Sequence, residues 1–137
     1  MARKKVKVPK KYKPANKEKF MNPTMREYFR LKLLSWRDEI IDETGETLEK
    51  LRTDTSPEPD LGDRAAVETE RAVELRTRDR ARKLISKIDE ALERIENGSY
   101  GYCEETEEPI SIKRLEARPI ATLTIEAQEQ HERYERT

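Results

Sequence analysis

Apolar residues recur at steps of three or four along two long stretches of the chain. The first stretch contains Met25, Phe29, Leu33, Trp36, Ile40, Leu48 and Leu51, with Thr44 filling the gap between Ile40 and Leu48. This spacing places the apolar side chains on one face of a helix. Asn22 and Pro23 precede it and suit the N-cap and the first helical position. The pattern predicts a helix over residues 22–53, weakened locally by Gly45.

The second stretch begins at Asp63. Its apolar positions are Ala66, Val73, Ala81, Leu84, Ile88, Ala91 and Ile95, with Thr77 between Val73 and Ala81. The intervening segment "DTSPEPDLGD" contains two prolines and one glycine, a combination that interrupts a helix. The second helix is predicted to end at Asn97-Gly98, where glycine supplies a left-handed stop.

Two long helices joined by a short turn are expected to pack as antiparallel neighbours. Folding the chain about residue 58 sets Leu51 near Ala66, Ile40 near Thr77, Trp36 near Ala81 and Leu33 near Leu84. Large residues of the first helix therefore face small residues of the second at several levels. This pattern predicts an antiparallel coiled coil about 40 Å long.

The remainder of the chain predicts a small globular module. "YGYCEETEEPI" has the character of a tight β-turn module, and a short helix at "SIKRLEAR" and a break at Pro119 precede a terminal helix from about Thr122. The predicted fold is mainly α, a long antiparallel coiled-coil hairpin with a small globular module and a C-terminal helix. The predicted divisions are an arm over 1–20, a hairpin over 21–98 with its tip near 54–65, and the module with its helix over 99–137.

The composition favours long exposed helices and disfavours a broad globular core. Charged residues make up 42% of the chain and hydrophobic residues 34%, while the formal net charge is zero. The basic charge is concentrated in residues 1–19, which hold nine Lys/Arg and one acid, Glu18. We expect these residues to form a flexible arm that either contacts acidic protein or nucleic-acid phosphate or serves only as a solubilising tail. No apolar signal or membrane span is evident, so a cytoplasmic protein is expected. The chain is also expected to be a monomer.

Residue patterns typical of enzymes are scarce. The single histidine, His131, lies in a charged run, and four glycines leave no phosphate-cradling loop. The chain is therefore predicted not to be an enzyme. Asp60 and Asp63 at the predicted hairpin tip either act near a cation or a basic element of a partner, or cap the second helix. A basic face on that helix suits an acidic or phosphorylated partner, or is simply solvated; it comprises Arg76, Arg78, Arg80, Arg82, Lys83 and Lys87.

Several motifs in order resemble the DksA/TraR family of RNA polymerase-binding transcription factors. They are "DLGDRAA", "ELRTRDRARKLISKI", "NGSYGYC" and "IKRLEARP". The resemblance implies a factor that enters the secondary channel of RNA polymerase with its coiled coil and binds no promoter bases. It also implies a role in the stringent response: with the alarmone ppGpp, ribosomal RNA promoters are inhibited and some amino-acid biosynthesis promoters are activated.

The same resemblance assigns roles to individual residues. The tip pattern D-x-x-D-x-A falls on Asp60, Asp63 and Ala65, and a polymerase contact falls on Arg80. The ppGpp site falls on Lys87 and Arg118. Its third basic position is Gln128, and loss of that charge weakens phosphate binding by about 1–3 kcal/mol unless Arg133 substitutes.

The zinc positions of the family depart from the expected pattern. They fall on Cys103, Thr106, Thr124 and Ala127, and one thiolate cannot hold a tetrahedral zinc ion. The chain is therefore predicted to bind no zinc, as a cysteine-poor member with a degenerate zinc finger. We expect the four residues to close into a packed cluster in which hydroxyls satisfy turn amides. Apolar support is expected from Leu115, Leu123 and Ile125.

Cys103 also raises the possibility of a redox switch. Glu104 and Glu105 are expected to disfavour the thiolate, which favours a packing role over a reactive one. For the whole chain two further alternatives stay open. One is a coiled-coil adaptor with another partner, and the other is a nucleic-acid binder that acts through the basic arm.

Overall fold

The computed structural model describes residues 6–53 and 61–136, and these form four α-helices. They are α1 (Pro23–Thr53), α2 (Leu61–Asn97), α3 (Ile112–Ala117) and α4 (Ile125–Arg136). Over the same ranges β pairing is limited to an isolated antiparallel bridge between Tyr102 and Pro109. The prediction of a mainly α fold is confirmed. No helix in these ranges has the length and apolar character needed to cross a membrane.

The helix ends follow the local sequence signals. The backbone N–H of Met25 donates to Asn22 Oδ1 at 2.9 Å, so Asn22 is the N-cap of α1 and Pro23 its first residue, as predicted. At the end of α2, Gly98 has φ of 85°. The N–H groups of Ser99 and Tyr100 both donate to the carbonyl of Arg94, at 3.0 and 3.1 Å. The predicted left-handed stop at Asn97-Gly98 is therefore confirmed.

One compact unit comprises residues up to Leu34 together with those from Ile88 onward. Its core combines the start of α1, the end of α2 and the residues around α3. The residues that expose at most 2% of their surface are Met25, Phe29, Leu33, Ile88, Ala91, Ile95, Tyr100, Cys103, Ile110 and Leu115. In this unit, the apolar residues that recur at steps of three or four along α1 and α2 thus form part of a buried core.

The second compact unit comprises Ser35–Lys87 and holds the remaining parts of α1 and α2. Ile40 and Ala81 are buried here, and Ile40 and Thr77 line the same cavity, in agreement with the predicted pairing. Ala66 and Val73, however, are exposed, so the prediction that they lie in a buried seam is wrong. Each helix of a two-helix pair has a single neighbour, which leaves seam positions accessible. The side chains of Leu48 and Leu51 lie outside the described residues.

Residues 6–20, predicted to be a flexible arm, contain two hydrogen-bonded turns. Tyr12 N–H donates to the carbonyl of Pro9 at 3.0 Å, and Glu18 N–H donates to that of Ala15 at 3.2 Å. The ring of Tyr12 packs edge-on against that of Tyr28 in α1, with centroids 5.7 Å apart. These contacts tie the arm to α1 within the first unit. The domain boundaries at residues 20 and 98 stay predictions.

Gly101 marks the place where the arm meets the turn module. Its φ is 90°, and a Cβ added there would lie 2.9 Å from Met21 Cε and 3.1 Å from Phe20 Cζ. The ring of Phe20 also packs edge-on against that of Tyr102, at 5.3 Å between centroids. Only glycine combines this backbone conformation with so close an approach.

Candidate functional site

Two of the three predicted tip residues, Asp63 and Ala65, lie at the start of α2. Asp60 lies outside the described residues. Asp63 is in the first turn of α2, where its carboxylate is favoured by the helix dipole, and both Asp63 and Ala65 are exposed. Because α2 begins at Leu61, Asp63 lies inside the helix. The alternative that Asp63 is the N-cap is therefore wrong.

The basic residues of α2 divide between different sides of the helix. Arg76 and Arg80 are one helical turn apart and line a cavity of about 420 Å³ with Ile40, Val73 and Leu84. Arg78 instead pairs with Glu74 at 2.8 Å, across one turn of the same helix. Lys87 is exposed near the end of the second unit. Arg76 and Arg80 thus place two cations beside apolar surface, while the charge of Arg78 is locally balanced.

Cys103 lies in a compact turn of the first unit. Its N–H donates to the carbonyl of Glu108 at 2.8 Å, and its own carbonyl accepts from the N–H of Glu107 at 2.9 Å. The N–H of Ile110 closes the turn on the carbonyl of Gly101 at 2.7 Å. Glu107 has φ of 61°, a left-handed conformation that the tight turn requires. The turn buries Cys103 and leaves the glutamates around it exposed.

The turn packs against the start of α4. Glu104 N–H donates to the carbonyl of Thr122 at 2.9 Å. Thr124 is buried, and its hydroxyl lies 3.9 Å from Cys103 Sγ and accepts from the N–H of Ala127 at 3.3 Å. The N–H of Glu108 donates to Thr106 Oγ1 at 3.4 Å. The threonine hydroxyls therefore satisfy local amides, as expected.

The electrostatic environment of Cys103 differs from the expectation. Burial raises the pKa of its thiol, but donors around the sulfur outweigh this effect and lower the pKa to about 7. These donors are the Thr106 side chain and the backbone of Thr124, Thr106 and Glu105. The lowered pKa contradicts the expectation that the thiolate is disfavoured. The choice between a packing role and a reactive role for Cys103 stays a prediction.

The apolar support of this cluster is only partly as predicted. Leu115 is fully buried, but Leu123 is half-buried and Ile125 is 48% exposed. Ile125 is the first residue of α4, and Thr124 before it occupies the buried cap position. The side chain of Ile125 thus points away from the cluster, so its predicted supporting role is wrong.

Arg118 and Gln128 lie on different elements of the first unit. Arg118 caps the C-terminus of α3, where its N–H donates to the carbonyl of Arg114 at 2.7 Å, and its side chain is exposed. Gln128 lies in α4, with its side-chain amide 3.4 Å from a carboxylate oxygen of Glu132. That carboxylate makes the neighbourhood of Gln128 less attractive to a phosphate, and Arg133 nearby is exposed.

Two family models match consecutive parts of the chain. The DnaK suppressor protein DksA, N-terminal domain, matches residues 25–95, and the prokaryotic dksA/traR C4-type zinc finger matches residues 98–133. The "RNA polymerase-binding transcription factor DksA" of Caulobacter vibrioides (strain NA1000 / CB15N) is 62% identical over 125 residues, which cover 91% of this chain and 88% of that protein. The chain belongs to the DksA family.

Other DksA proteins agree with this assignment. The protein of the same description from Escherichia coli (strain K12) is 44% identical over 109 residues, covering 80% of this chain and 72% of that protein. The solved structure of transcription factor DksA2 from Pseudomonas aeruginosa matches with a TM-score of 0.78 at 43% identity, covering 86% of this chain and 91% of that one. These relatives are named as transcription factors and not as enzymes.

The match to the DksA zinc finger makes the donor set of this chain informative. The four positions that the family resemblance assigns to zinc carry one thiol, two hydroxyls and a methyl group, which do not fit a tetrahedral zinc ion. Within residues 6–53 and 61–136, no group of three or more His, Cys, Asp or Glu side chains is arranged to hold a metal ion. The absence of zinc from this DksA-family chain stays a prediction.

Sequence reasoning missed a polar network that joins α1 to α3. Lys32 Nζ donates to the backbone carbonyl and the carboxylate of Glu116, at 2.9 and 3.1 Å. Burial first, and then hydrogen bonding to Glu116, raises the pKa of Tyr28 to about 12. His131, which is exposed, contacts the carboxylate of Glu105. No sequence signal identifies these pairs, because their members lie far apart in the chain.

Proposed function

We propose that this DksA-family chain binds RNA polymerase directly and regulates transcription. The observation that carries the proposal is the 62% identity, over 91% of the chain, to a protein named as an RNA polymerase-binding transcription factor. Such a factor acts in the cytoplasm, where the polymerase is, and as a monomer. It recognises no promoter base sequence.

The proposed mechanism places the end of the helical hairpin in the secondary channel of the polymerase. Asp60, Asp63 and Ala65 then act beside the catalytic elements. Support comes from the position of Asp63 and Ala65 at the start of α2, where both residues are exposed. Arg80 is proposed to contact a polymerase carboxylate, and its exposed position on α2 beside apolar surface suits that role.

We also propose that ppGpp acts with this chain, inhibiting ribosomal RNA promoters and activating some amino-acid biosynthesis promoters. Lys87 and Arg118 are the proposed phosphate-binding residues, and both are exposed cations. Gln128 contributes no charge and lies beside Glu132. We therefore expect ppGpp to bind more weakly than in a relative with a basic residue there, and Gln128→Lys to increase the response to ppGpp.

The test of the tip mechanism is the double variant Asp63→Asn/Ala65→Thr. It should still bind polymerase but fail to inhibit a ribosomal RNA promoter in purified transcription, with and without ppGpp. Ala72→Thr/Asp79→Asn is the matched control, because it makes the same two changes at exposed positions further along α2. Full inhibition by the tip variant would refute the mechanism. If the unmodified protein does not bind polymerase, the proposed function itself is refuted.

A further inference from the structure

The arm presents an unusually uniform cationic surface. All six of its lysines in the described range are exposed, and within that part of the chain none is paired with a carboxylate. They are Lys7, Lys10, Lys11, Lys13, Lys17 and Lys19. Other basic residues of the protein are paired, such as Arg30 with Glu27 and Lys32 with Glu116. The six charges of the arm are thus available to a partner.

The single acid of the arm is held by internal hydrogen bonds. Glu18 Oε2 accepts from the hydroxyl of Tyr12 at 2.8 Å and from the N–H of Ala15 at 3.1 Å. Burial and then the bond to Glu18 raise the pKa of Tyr12 to about 12, so the hydroxyl keeps its proton and stays a donor. These bonds fold the arm and engage the one carboxylate that would oppose an anionic partner.

Two aromatic contacts fix the arm to the rest of the first unit at separate points. Tyr12 packs on Tyr28, and Phe20 packs on Tyr102. The lysines between and before these anchors are therefore presented from a folded segment, which lowers the entropy lost when they bind a partner. Both rings of the arm are used in these contacts, so neither is available to stack on an unpaired base.

The chemistry of the surface favours one class of partner. Lysine is depleted at protein–protein interfaces, where arginine is preferred for its planar, bidentate pairing with carboxylates. The described arm has six lysines and no arginine. Compact cations without aromatic stacking or planar donors suit closely spaced phosphates whose bases are already paired. We propose that residues 6–20 bind the phosphate backbone of duplex DNA without reading its sequence.

Binding of purified full-length protein to fluorescent duplexes, measured by anisotropy over a range of salt concentrations, tests this contact. Two duplexes of unrelated sequence should bind alike, and log K should fall linearly with log salt. The triple variant Lys10→Gln/Lys11→Gln/Lys13→Gln should lose on the order of tenfold in affinity at low salt and about two to three units of the salt slope. An unchanged slope would overturn the proposal.

The matched control removes three exposed basic residues from α2 instead. Arg71→Gln/Arg82→Gln/Lys83→Gln changes the net charge by the same amount and spares the residues proposed to contact polymerase or ppGpp. It should retain nearly the affinity and slope of the unmodified protein. An equal loss in both triples would show a general charge effect and overturn the proposal. Thermal unfolding of each variant verifies that it is folded.

Glu18→Gln is expected to change duplex affinity in the direction opposite to that of the lysine triple variant. Glutamine can still accept the hydrogen bonds from Tyr12 and Ala15, but it removes the negative charge of the arm. Duplex affinity should rise about twofold to threefold at low salt, and a fall would contradict the proposal.

If the triple lysine variant of the arm keeps its duplex affinity but loses polymerase affinity, the partner is an acidic protein surface and the proposal is wrong. Inhibition of the ribosomal RNA promoter is measured separately, so that failure of DNA binding by the arm can be distinguished from failure of the proposed function.

Discussion

The sulfur of Cys103 is surrounded by hydrogen-bond donors from two segments of the chain. Thr106 and Glu105 belong to its own turn, whereas Thr124 precedes α4. The resulting preference for the thiolate lowers its pKa to about 7 despite burial, which alone would raise it. The hydrogen bonds around this single cysteine therefore favour its thiolate form, which is also the form that binds metals.

This lowered pKa predicts a pH-dependent contribution to stability. Ionisation of Cys103 is favoured in the folded state, so its contribution is full above the ordinary pKa of 9.0 and is lost as the pH falls to about 7. The free energy of unfolding of the unmodified protein, minus that of Cys103→Ser, should therefore increase between pH 7 and 9. Urea denaturation at several pH values measures this difference, and a constant difference would contradict the assignment.

The surroundings of Gly101 predict that a substitution there destabilises the protein. Gly101→Ala should destabilise the protein by about 1–3 kcal/mol, because it combines a left-handed backbone with overlap against Met21 and Phe20. Gly98→Ala is the control for the backbone alone, since φ is 85° there but no atom lies within 4 Å of the added Cβ. Chemical denaturation should show the larger loss for Gly101→Ala, and equal losses would exclude the close contact.

At the scale of single elements, helix ends are set by local chemistry and their packing by distant groups. Asn22 caps α1 through its own side chain, and Gly98 ends α2 through its own conformation. The packing of α3, in contrast, includes contacts between Glu116 and Lys32 of α1, which lies far from it in the chain. The first kind of feature is visible in a short window of sequence, and the second is not.

The cap of α1 gives a prediction at this scale. Asn22→Ala should reduce the free energy of unfolding by about 1 kcal/mol, because the N–H of Met25 loses its acceptor. Asn22→Asp should be neutral or slightly stabilising, since it keeps the acceptor and adds a favourable charge at the helix N-terminus. Denaturation of both variants provides the comparison. Equal losses in the two variants would mean that the side-chain oxygen is not the stabilising group.

At the scale of the whole molecule, the protein combines a family fold with an altered zinc-finger donor set. The first unit has a dense core from α1, α2 and α3, and the cluster of Cys103, Thr124 and Ala127 is buried within it. Apolar burial and satisfied amides in this unit supply stabilisation of the kind that a structural metal gives to small modules.

The folding of the molecule is accordingly predicted to be independent of zinc. Its thermal unfolding midpoint should be the same before and after treatment with a chelator, and added zinc should not raise it. Metal analysis of the purified protein should find less than stoichiometric zinc. One zinc per chain retained through a chelator wash, or unfolding on chelation, would contradict the prediction.

Much of this organisation could be predicted from the sequence, and the failures have specific causes. The long helices, the cap at Asn22 and the stop at Gly98 follow from periodicity and local hydrogen bonding. The burial of Ala66 and Ile125 was predicted wrongly, because periodicity gives the face of a helix but not what covers that face. The domain boundaries and the roles of the site residues stay predictions.

The sequence by itself determined the helical elements, their ends, the family and the incomplete set of zinc ligands, because each depends on residue types at short or fixed spacing. The tertiary structure alone decided the thiolate environment of Cys103 and the attachment of the arm to α1 and the turn module. Thr124 lies 21 residues from Cys103, and Tyr28 lies well beyond the turns of the arm it contacts. Such contacts form only when the folded core brings distant segments together, so no local pattern encodes them.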